Sequence, residues 1–300
     1  MSKDIKNRIS LWKGEKETII ALIFLLPALL LLSIFVITPM LMAFSYGFTD
    51  YHLLKPHMKE FIGVENFINI LKDPLIYQTL KNTLMFVFLV VPVQLGMALG
   101  FALIINKNFR GNTFFKIAFF SPSVLSLVVI SILWSILLNP SSGLINEILV
   151  KLNFEKQPFL MSSSQAMPTI AFISAWAGCG YQMLIFLAGL KNIPNELYEA
   201  ARIDGANKFQ QFLNITLPGL RPITIFLVIT TVISAFKLIV QPMVMTGGGP
   251  DNSTMTVLQY IYEYGFRHRN TGYASAITIM FTILLVILSL IFKRFLKEED

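Results

Sequence analysis

Six apolar stretches, each long enough to cross a lipid bilayer, limit what this chain can fold into. They run over residues 19–48, 82–105, 117–138, 166–190, 222–246 and 273–292. About 20 apolar residues cross the hydrocarbon layer, where a helix satisfies its own backbone hydrogen bonds. Charged residues make up only 14% of the chain, and the mean hydropathy is +0.66. The sequence therefore predicts an all-α membrane protein with six transmembrane helices.

The first stretch is interpreted as a retained helix. Basic residues from Lys3 to Lys16 precede it, as they would precede a signal peptide. A signal peptide, however, has an apolar core of about 7 to 15 residues and then a cleavage site. The stretch 19–48 is about twice that length and continues without a break.

Lys and Arg are distributed unevenly over the segments that connect the six stretches. If the N-terminus lies inside, the inner segments hold 15 of these residues and the outer segments hold 8. The positive-inside rule then places both termini in the cytoplasm. The predicted organisation is a cytoplasmic segment 1–18, a six-span domain 19–295 with a cytoplasmic loop 191–221, and a cytoplasmic tail 296–300.

Several classes of protein are excluded or disfavoured by the composition. The net charge of +7 is scattered between apolar stretches and forms no basic stripe, so no nucleic-acid partner is expected. A single cysteine, Cys179, excludes an intrachain disulfide. The three histidines have no carboxylate or thiol at ligand spacing, so no metal site is predicted.

The segment 194–222, between the fourth and fifth stretches, is polar and has helical periodicity. Gly205 divides it into two amphipathic halves, whose apolar faces are formed by Leu197, Ala200 and Ala201 and by Phe209, Phe212 and Leu213. Pro218 is expected to end the second half. Such a bent apolar surface suits a protein partner, although helices lying on the lipid surface have the same periodicity.

This segment resembles the EAA loop of ABC importer permeases. Glu199-Ala200-Ala201 is followed by three residues, Gly205, nine residues and then Ile215-Thr216-Leu217-Pro218. Nearly the whole chain is similar to the carbohydrate-uptake branch, and to the larger permease of maltose importers in particular. That likeness includes FIGVENF at 61–67, LAGLKNIPNELYEAA at 187–201 and MTGGGPDNST at 245–254. The large extra periplasmic domain of the maltose protein is missing here.

The resemblance implies a non-catalytic permease subunit of a sugar importer, with type I ABC importer architecture, in the bacterial cytoplasmic (inner) membrane. Its implied partners are a second homologous permease, an ATPase dimer that binds ATP and Mg²⁺, and an extracytoplasmic solute-binding protein. The chain itself has no GxxxxGK[ST] motif and no cofactor is expected in it. In that family the loop inserts into the ATPase. The implied coupling residues are Glu199, Ala200, Ala201, Arg202, Asp204, Gly205, Phe209, Leu217 and Pro218.

Five polar or aromatic residues within the apolar stretches are candidates for the substrate path. A charged side chain such as that of Lys237 has a high free energy inside a membrane. It is therefore expected to face a water-filled cavity, or else to reach outward to the surface. Gln241 lies four residues later and is expected on the same helical face. Trp176, Tyr181 and Gln182 combine aromatic rings with an amide, as a sugar site requires. Aromatic residues in spans also serve as packing or interface anchors.

A glycine-rich turn on the predicted outer side is a candidate contact for the solute-binding protein. It consists of Gly247, Gly248, Gly249 and Pro250. No Lys-Ser/Thr follows it, so it is not a phosphate-binding loop. A flexible hairpin between the fifth and sixth spans is the alternative interpretation.

Three other functions are alternatives to sugar import. A permease for glycerol phosphate or another polyol is possible in chemical terms, since Lys237 suits an anion. An ion-coupled secondary transporter is disfavoured because no Asp or Glu lies within any of the six stretches. A membrane-embedded enzyme is disfavoured because HExxH, GxSxG and an intramembrane His/Asp cluster are missing.

Overall fold

The computed structural model describes Thr18, residues 20–107 and residues 109–297. The predicted segment 1–18 and the end of the predicted tail thus lie almost wholly outside the described residues. The helices are α1 (Ile20–Tyr46), α2 (Glu65–Lys72), α3 (Pro74–Ile105), α4 (Asn112–Phe120), α5 (Leu127–Leu137), α6 (Leu144–Lys151), α7 (Ala166–Asn192), α8 (Asn195–Ile203), α9 (Lys208–Gly219), α10 (Arg221–Phe236), α11 (Val240–Met245), α12 (Val257–Tyr262) and α13 (Thr271–Lys297).

Helices α1, α3, α7 and the first part of α13 are each long and apolar enough to cross a membrane. Two further spans arise if each of two bent helix pairs counts as one. The segments of the first pair, Asn112–Val124 and Leu127–Leu137, meet at 100°, and those of the second, α9 and α10, meet at 65°. The predicted fold class, a helical protein that spans the membrane several times, is confirmed.

The second span begins at Pro74, earlier than the predicted residue 82. The Asp73–Pro74 pair lies between the end of the short helix α2 and the start of α3. The Asp73 carboxylate accepts a hydrogen bond from the Leu75 amide at 2.9 Å, and Pro74 occupies the first turn, where its missing N–H costs nothing.

The third span is interrupted, whereas the sequence predicted one helix over 117–138. A 3₁₀ turn, Ser121–Val124, follows α4, and Leu125 and Ser126 are extended before α5 begins. Pro122 lies in this turn and has no N–H for a helical hydrogen bond. The Ser123 hydroxyl donates to the Ala177 carbonyl of α7 at 2.9 Å and accepts from the Tyr181 amide at 3.2 Å. The interruption is therefore fixed against α7.

The fifth span is also interrupted, which corrects the prediction that Lys237 and Gln241 share one helical face. Helix α10 ends at Phe236 and α11 begins at Val240, with Ile239 outside helical geometry (φ −144°, ψ −44°). Pro242 explains the break, because proline cannot donate to the carbonyl four residues earlier and its ring clashes with that carbonyl. The carbonyl concerned belongs to Leu238.

Helices α3 and α7 pack along their length and hold the main core. Small residues allow this close approach: Ala98 and Ala102 are fully buried on α3, facing Met183 and Phe186 of α7, which are at most 1% exposed. Gly189 of α7 leaves room for Leu220 at the start of the fifth span. This compact unit comprises residues 69–263 and the end of α13 from residue 280.

The described residues up to Ile68 form a second compact unit with residues 264–279. Within it, the buried Asn66 amide donates to the carbonyls of Gly47 (3.0 Å) and Thr49 (2.9 Å), and the rings of Tyr46 and Tyr51 stack at 4.3 Å. These contacts fix the turn that follows α1.

Candidate functional site

Helix α8 ends in a glycine cap that explains the spacing between the alanines and the glycine of the motif. Gly205 adopts a left-handed φ of +81°. The Ala206 amide donates to the Ala201 carbonyl at 2.8 Å, and the Gly205 amide donates to the Arg202 carbonyl at 3.2 Å. These two hydrogen bonds define a Schellman cap, in which the left-handed residue lies four positions after the first acceptor. The EAA-x3-G spacing is therefore a helix-ending signal.

Helix α9 starts immediately after this cap. The Asn207 side chain accepts hydrogen bonds from the amides of Phe209 (3.0 Å) and Gln210 (2.9 Å), and the Gln210 side chain accepts one from the Asn207 amide at 2.8 Å. This reciprocal pair is a capping box. Only Gly205 and Ala206 lie between Asp204, the last capping residue of α8, and Asn207, the first capping residue of α9. We call residues 195–219, which comprise α8, this bend and α9, the elbow.

The elbow exposes apolar side chains on its surface. Ile203 is 86% exposed and Phe209 is 68% exposed, and both lie beside the bend. Glu199 forms an ion pair with Arg202 at 3.8 Å, but both side chains are about two-thirds exposed, so this pair contributes little to stability. Glu199 is thus available to a partner. A groove of about 650 Å³ on the elbow is lined by Asn195, Tyr198, Glu199, Arg202, Ala206, Asn207, Lys208 and Gln211.

The elbow is braced against the core of its own unit. The hydroxyls of Tyr198 and Thr216 are 3.0 Å apart, Thr216 is buried, and Tyr198 packs against the α3–α7 core. Pro218 does not end α9, which corrects the sequence prediction. A π turn over Phe212–Thr216 precedes it, and the chain stays helical to Gly219. Leu217 is partly buried and Pro218 is exposed.

A cavity of about 550 Å³ lies among α3, α7 and the two interrupted spans, the third and the fifth. Lys237, Gln241, Gln182 and Tyr181 all line it. Lys237 follows the last residue of α10, and its side chain is exposed to the cavity, whereas Gln241 is buried at the start of α11. The lining contains no Asp or Glu among the described residues, so Lys237 is its only charged side chain.

Gln182 is held in one orientation. Its amide nitrogen donates to the Thr231 hydroxyl at 2.6 Å, and that hydroxyl donates to the Leu227 carbonyl of α10. Gln182 is 6% exposed, and its Oε1 accepts no hydrogen bond from the described protein groups. This oxygen is therefore a buried acceptor without a partner among the described protein groups.

Trp176 lies outside the cavity lining. Its ring contacts Trp134 of α5 edge to face at 5.6 Å, in an apolar cluster with Ile130 and Ile173. Gln94 of α3 lines the cavity instead and was not among the predicted residues. The signal was present, since Gln94 is an amide in the middle of an apolar span, as Lys237 is a cation within one.

The glycine turn after α11 is a folded structure. Gly247 and Gly248 have left-handed φ values of +63° and +93°, and the bond between Gly249 and Pro250 is cis. The hydroxyls of Thr246 and Thr254 are 2.7 Å apart, and Thr254 also donates to the Gly249 carbonyl at 2.9 Å. Hydrogen bonds within the turn therefore hold its two ends together.

Comparison with known proteins extends over the whole chain. The probable ABC transporter permease protein YurN of Bacillus subtilis is 33% identical over 94% of this chain and 98% of its own length. The sulfoquinovosyl glycerol transport system permease protein SmoG of Agrobacterium fabrum is 31% identical over 96% of this chain and 94% of its own length. The arabinooligosaccharides transport system permease protein AraP of Bacillus subtilis is 33% identical over 90% and 86%.

Two solved structures have the same fold. A chain of a bacterial ABC transporter involved in the import of the acidic polysaccharide alginate has a TM-score of 0.85 and 22% identity, with 97% of this chain and 99% of that chain covered. The alginate transporter in complex with its alginate pentasaccharide-bound periplasmic protein gives a TM-score of 0.81 and 23% identity, with 94% and 95% covered.

The family pattern "Binding-protein-dependent transport system inner membrane component" matches residues 82–298. That range contains the elbow, the cavity and the glycine turn. Together with the full-length similarity to ABC transporter permeases, this match shows that the chain belongs to the family of binding-protein-dependent transport system inner membrane components.

Proposed function

We propose that this chain is one of two permease subunits of an ATP-driven carbohydrate importer and is coupled to an ATPase dimer through the loop 191–221. The observation that carries the proposal is the elbow, a capped and braced bend that exposes apolar side chains. Water penalises such a surface, whereas an apolar groove in a partner would bury it. ATP and Mg²⁺ would bind to the ATPase dimer.

The rigidity of the elbow suits the transmission of movement. Both helices are capped at the bend, and the hydroxyl contact between Tyr198 and Thr216 connects α8 to α9. Leu220, at the joint with α10, is fully buried against the α7 core. A displacement of the elbow by the ATPase would therefore reach the fifth span as a rigid-body movement.

The cavity is the proposed half of the substrate path. Sugars need hydrogen-bond partners for several hydroxyls, and the lining offers Lys237, Gln241, Gln94 and Gln182, with the Tyr181 ring beside them. Two of the sugar-permease relatives, SmoG and AraP, support a carbohydrate substrate. Trp176 would act only indirectly, through its packing.

The remaining partners follow from the same assignment. We place the chain in a bacterial inner membrane with the elbow in the cytoplasm and the glycine turn outside. A solute-binding protein would dock over Gly247, Gly248, Gly249 and Pro250 and release its sugar into the cavity. A second, homologous permease would complete the path, which then opens alternately to the two sides.

One observation favours a narrower substrate class as a second candidate. Lys237 is a lone cation in a cavity without a lining carboxylate, so an anionic substrate such as glycerol phosphate or an acidic sugar would gain a favourable charge interaction. A panel of neutral oligosaccharides, acidic sugars and glycerol phosphate distinguishes the two candidates.

The test is reconstitution of the complete complex in liposomes, with its ATPase dimer, second permease and solute-binding protein. We expect uptake of a labelled sugar only with internal ATP and with the binding protein outside. Uptake by the two permeases alone would contradict the proposal.

Variants assign the two sites separately. Glu199→Lys reverses an exposed charge on the elbow and is expected to abolish receptor-stimulated ATPase activity while leaving the fold intact. Lys237→Ala and Gln241→Ala are expected to change uptake rate or substrate range without loss of assembly. Wild-type uptake and ATPase activity in Glu199→Lys would disprove the coupling assignment.

A further inference from the structure

The glycine turn is anchored to the start of the second span. We call residues 246–255 the outer loop. The Asn82 side chain of α3 donates to the carbonyls of Asn252 (2.7 Å) and Met255 (2.9 Å), and the Gln78 side chain donates to the Asp251 carbonyl at 2.9 Å. The outer loop therefore cannot move without breaking these bonds or moving with α3.

The other end of the outer loop is attached to the break in the fifth span. The Thr256 hydroxyl donates to the Leu238 carbonyl at 2.7 Å, and the two residues are 0% and 6% exposed. Pro242 has no N–H to offer this carbonyl, so Thr256 replaces the missing helical donor. The same Thr256 oxygen accepts from the Gln259 amide at 3.3 Å and caps α12.

Leu238 is adjacent to the charged residue of the cavity. Lys237 and Leu238 both line the cavity and lie in the non-helical connection between α10 and α11. Backbone outside a helix has no ladder of hydrogen bonds to hold it in place, so the position of this connection depends on its few contacts. The Thr256 hydroxyl is one of them, and Thr256 directly follows the outer loop in the chain.

We propose that Thr256 is a positioning residue, through which docking of the solute-binding protein on the outer loop displaces Leu238 and with it Lys237 in the cavity. This inference rests on the proposed function, since it needs a protein that docks on the outer loop. It goes further in naming the bond that joins docking to the substrate path. Thr256 and Leu238 are 0% and 6% exposed, so bulk water does not compete for this hydrogen bond and a displacement of one residue is passed to the other.

Two variants at this position separate the hydroxyl from the packing. Thr256→Val keeps the shape of the side chain and removes the hydroxyl, whereas Thr256→Ser keeps the hydroxyl and removes one methyl group. The complete complex is reconstituted in lipid nanodiscs. Basal ATPase activity, stimulation by the sugar-loaded binding protein, and binding of that protein are each measured.

For Thr256→Val we expect unchanged basal activity and unchanged receptor binding, with stimulation reduced about fivefold, as loss of one neutral buried hydrogen bond predicts. Thr256→Ser is expected to restore most of the stimulation. A merely structural role would lower thermal stability and basal activity together and would leave the ratio of stimulated to basal activity constant.

The outcomes distinguish this inference from the proposed function. Full stimulation in Thr256→Val, with normal receptor binding, overturns the role of Thr256 and leaves the proposed function intact. A wild-type complex that the binding protein neither binds nor stimulates overturns both. If Thr256→Val does not assemble, Thr256→Ala decides, because it removes the same hydroxyl with a smaller side chain. Unchanged stimulation in Thr256→Ala would then refute the inference.

Discussion

Replacement of Gly205 separates two reasons why a glycine stands at the bend of the elbow. Its φ of +81° is left-handed, and, apart from its chain neighbours, no heavy atom of the described residues lies within 4 Å of the position that a Cβ would occupy. A Cβ would therefore meet no obstacle from that part of the chain. The intrinsic cost is conformational, about 1–2 kcal/mol for most L-residues, which lowers the ratio of bent to unbent elbow by a factor of about 5 to 30.

Three substitutions of Gly205 separate the cost of the left-handed backbone conformation from the effect of side-chain bulk. Gly205→Asn is the matched control because asparagine adopts the left-handed conformation more readily than other residues. We expect Asn to retain most receptor-stimulated ATPase activity and Val to lose roughly 5- to 30-fold. Trp should abolish the activity, since it adds bulk at the surface that the ATPase would cover.

The assay is sugar uptake and receptor-stimulated ATPase activity in reconstituted complexes, with assembly checked by co-purification of the ATPase. Wild-type coupling in both the Val and the Trp variants would refute the reasoning, because neither the bend nor its surroundings would then matter. Equal, complete loss in Asn and Val would show that the glycine is needed for close approach of the partner, and not for its backbone conformation.

Three further predictions address other parts of the molecule. Gly248→Ala places a side chain at a φ of +93° and should lower stability by about 1–2 kcal/mol, measured as a lower thermal midpoint in detergent. Gly178→Leu directs bulk onto the Gln94 amide in the cavity and should abolish uptake without loss of assembly, measured by transport and co-purification. Tyr198→Phe removes the contact with the Thr216 hydroxyl at a cost of about 1 kcal/mol and should weaken ATPase stimulation, measured against basal activity.

The membrane fold could be predicted from the sequence because its signal is local. Each predicted apolar stretch corresponds to a helix or an interrupted pair of helices. The interruptions could not be placed by hydropathy, since a broken span is as apolar as a continuous one. Prolines 122 and 242 were the available signals, but prolines 27, 39, 92 and 218 lie within segments that remain helical.

The candidate site was predicted unevenly. The bend at Gly205 follows from a helix-ending pattern of neighbouring residues, so the sequence contained it. The cavity depends on which side chains of distant spans meet, and this is why Gln94 was overlooked and Trp176 was placed on the path. The bond between Thr256 and Leu238 joins residues 18 positions apart across a break that was not expected.

The break in the fifth span also determines how the subunit can be oriented among its neighbours. Hydrocarbon chains offer no hydrogen bonds, so non-helical backbone at membrane depth must be shielded by protein or wetted by an aqueous pore. Residues 237–239 can therefore never form part of the annulus that lipids solvate. Any shielding that the subunit does not supply itself, as Thr256 does for the Leu238 carbonyl, must come from a neighbouring protein surface or from water, and not from lipid.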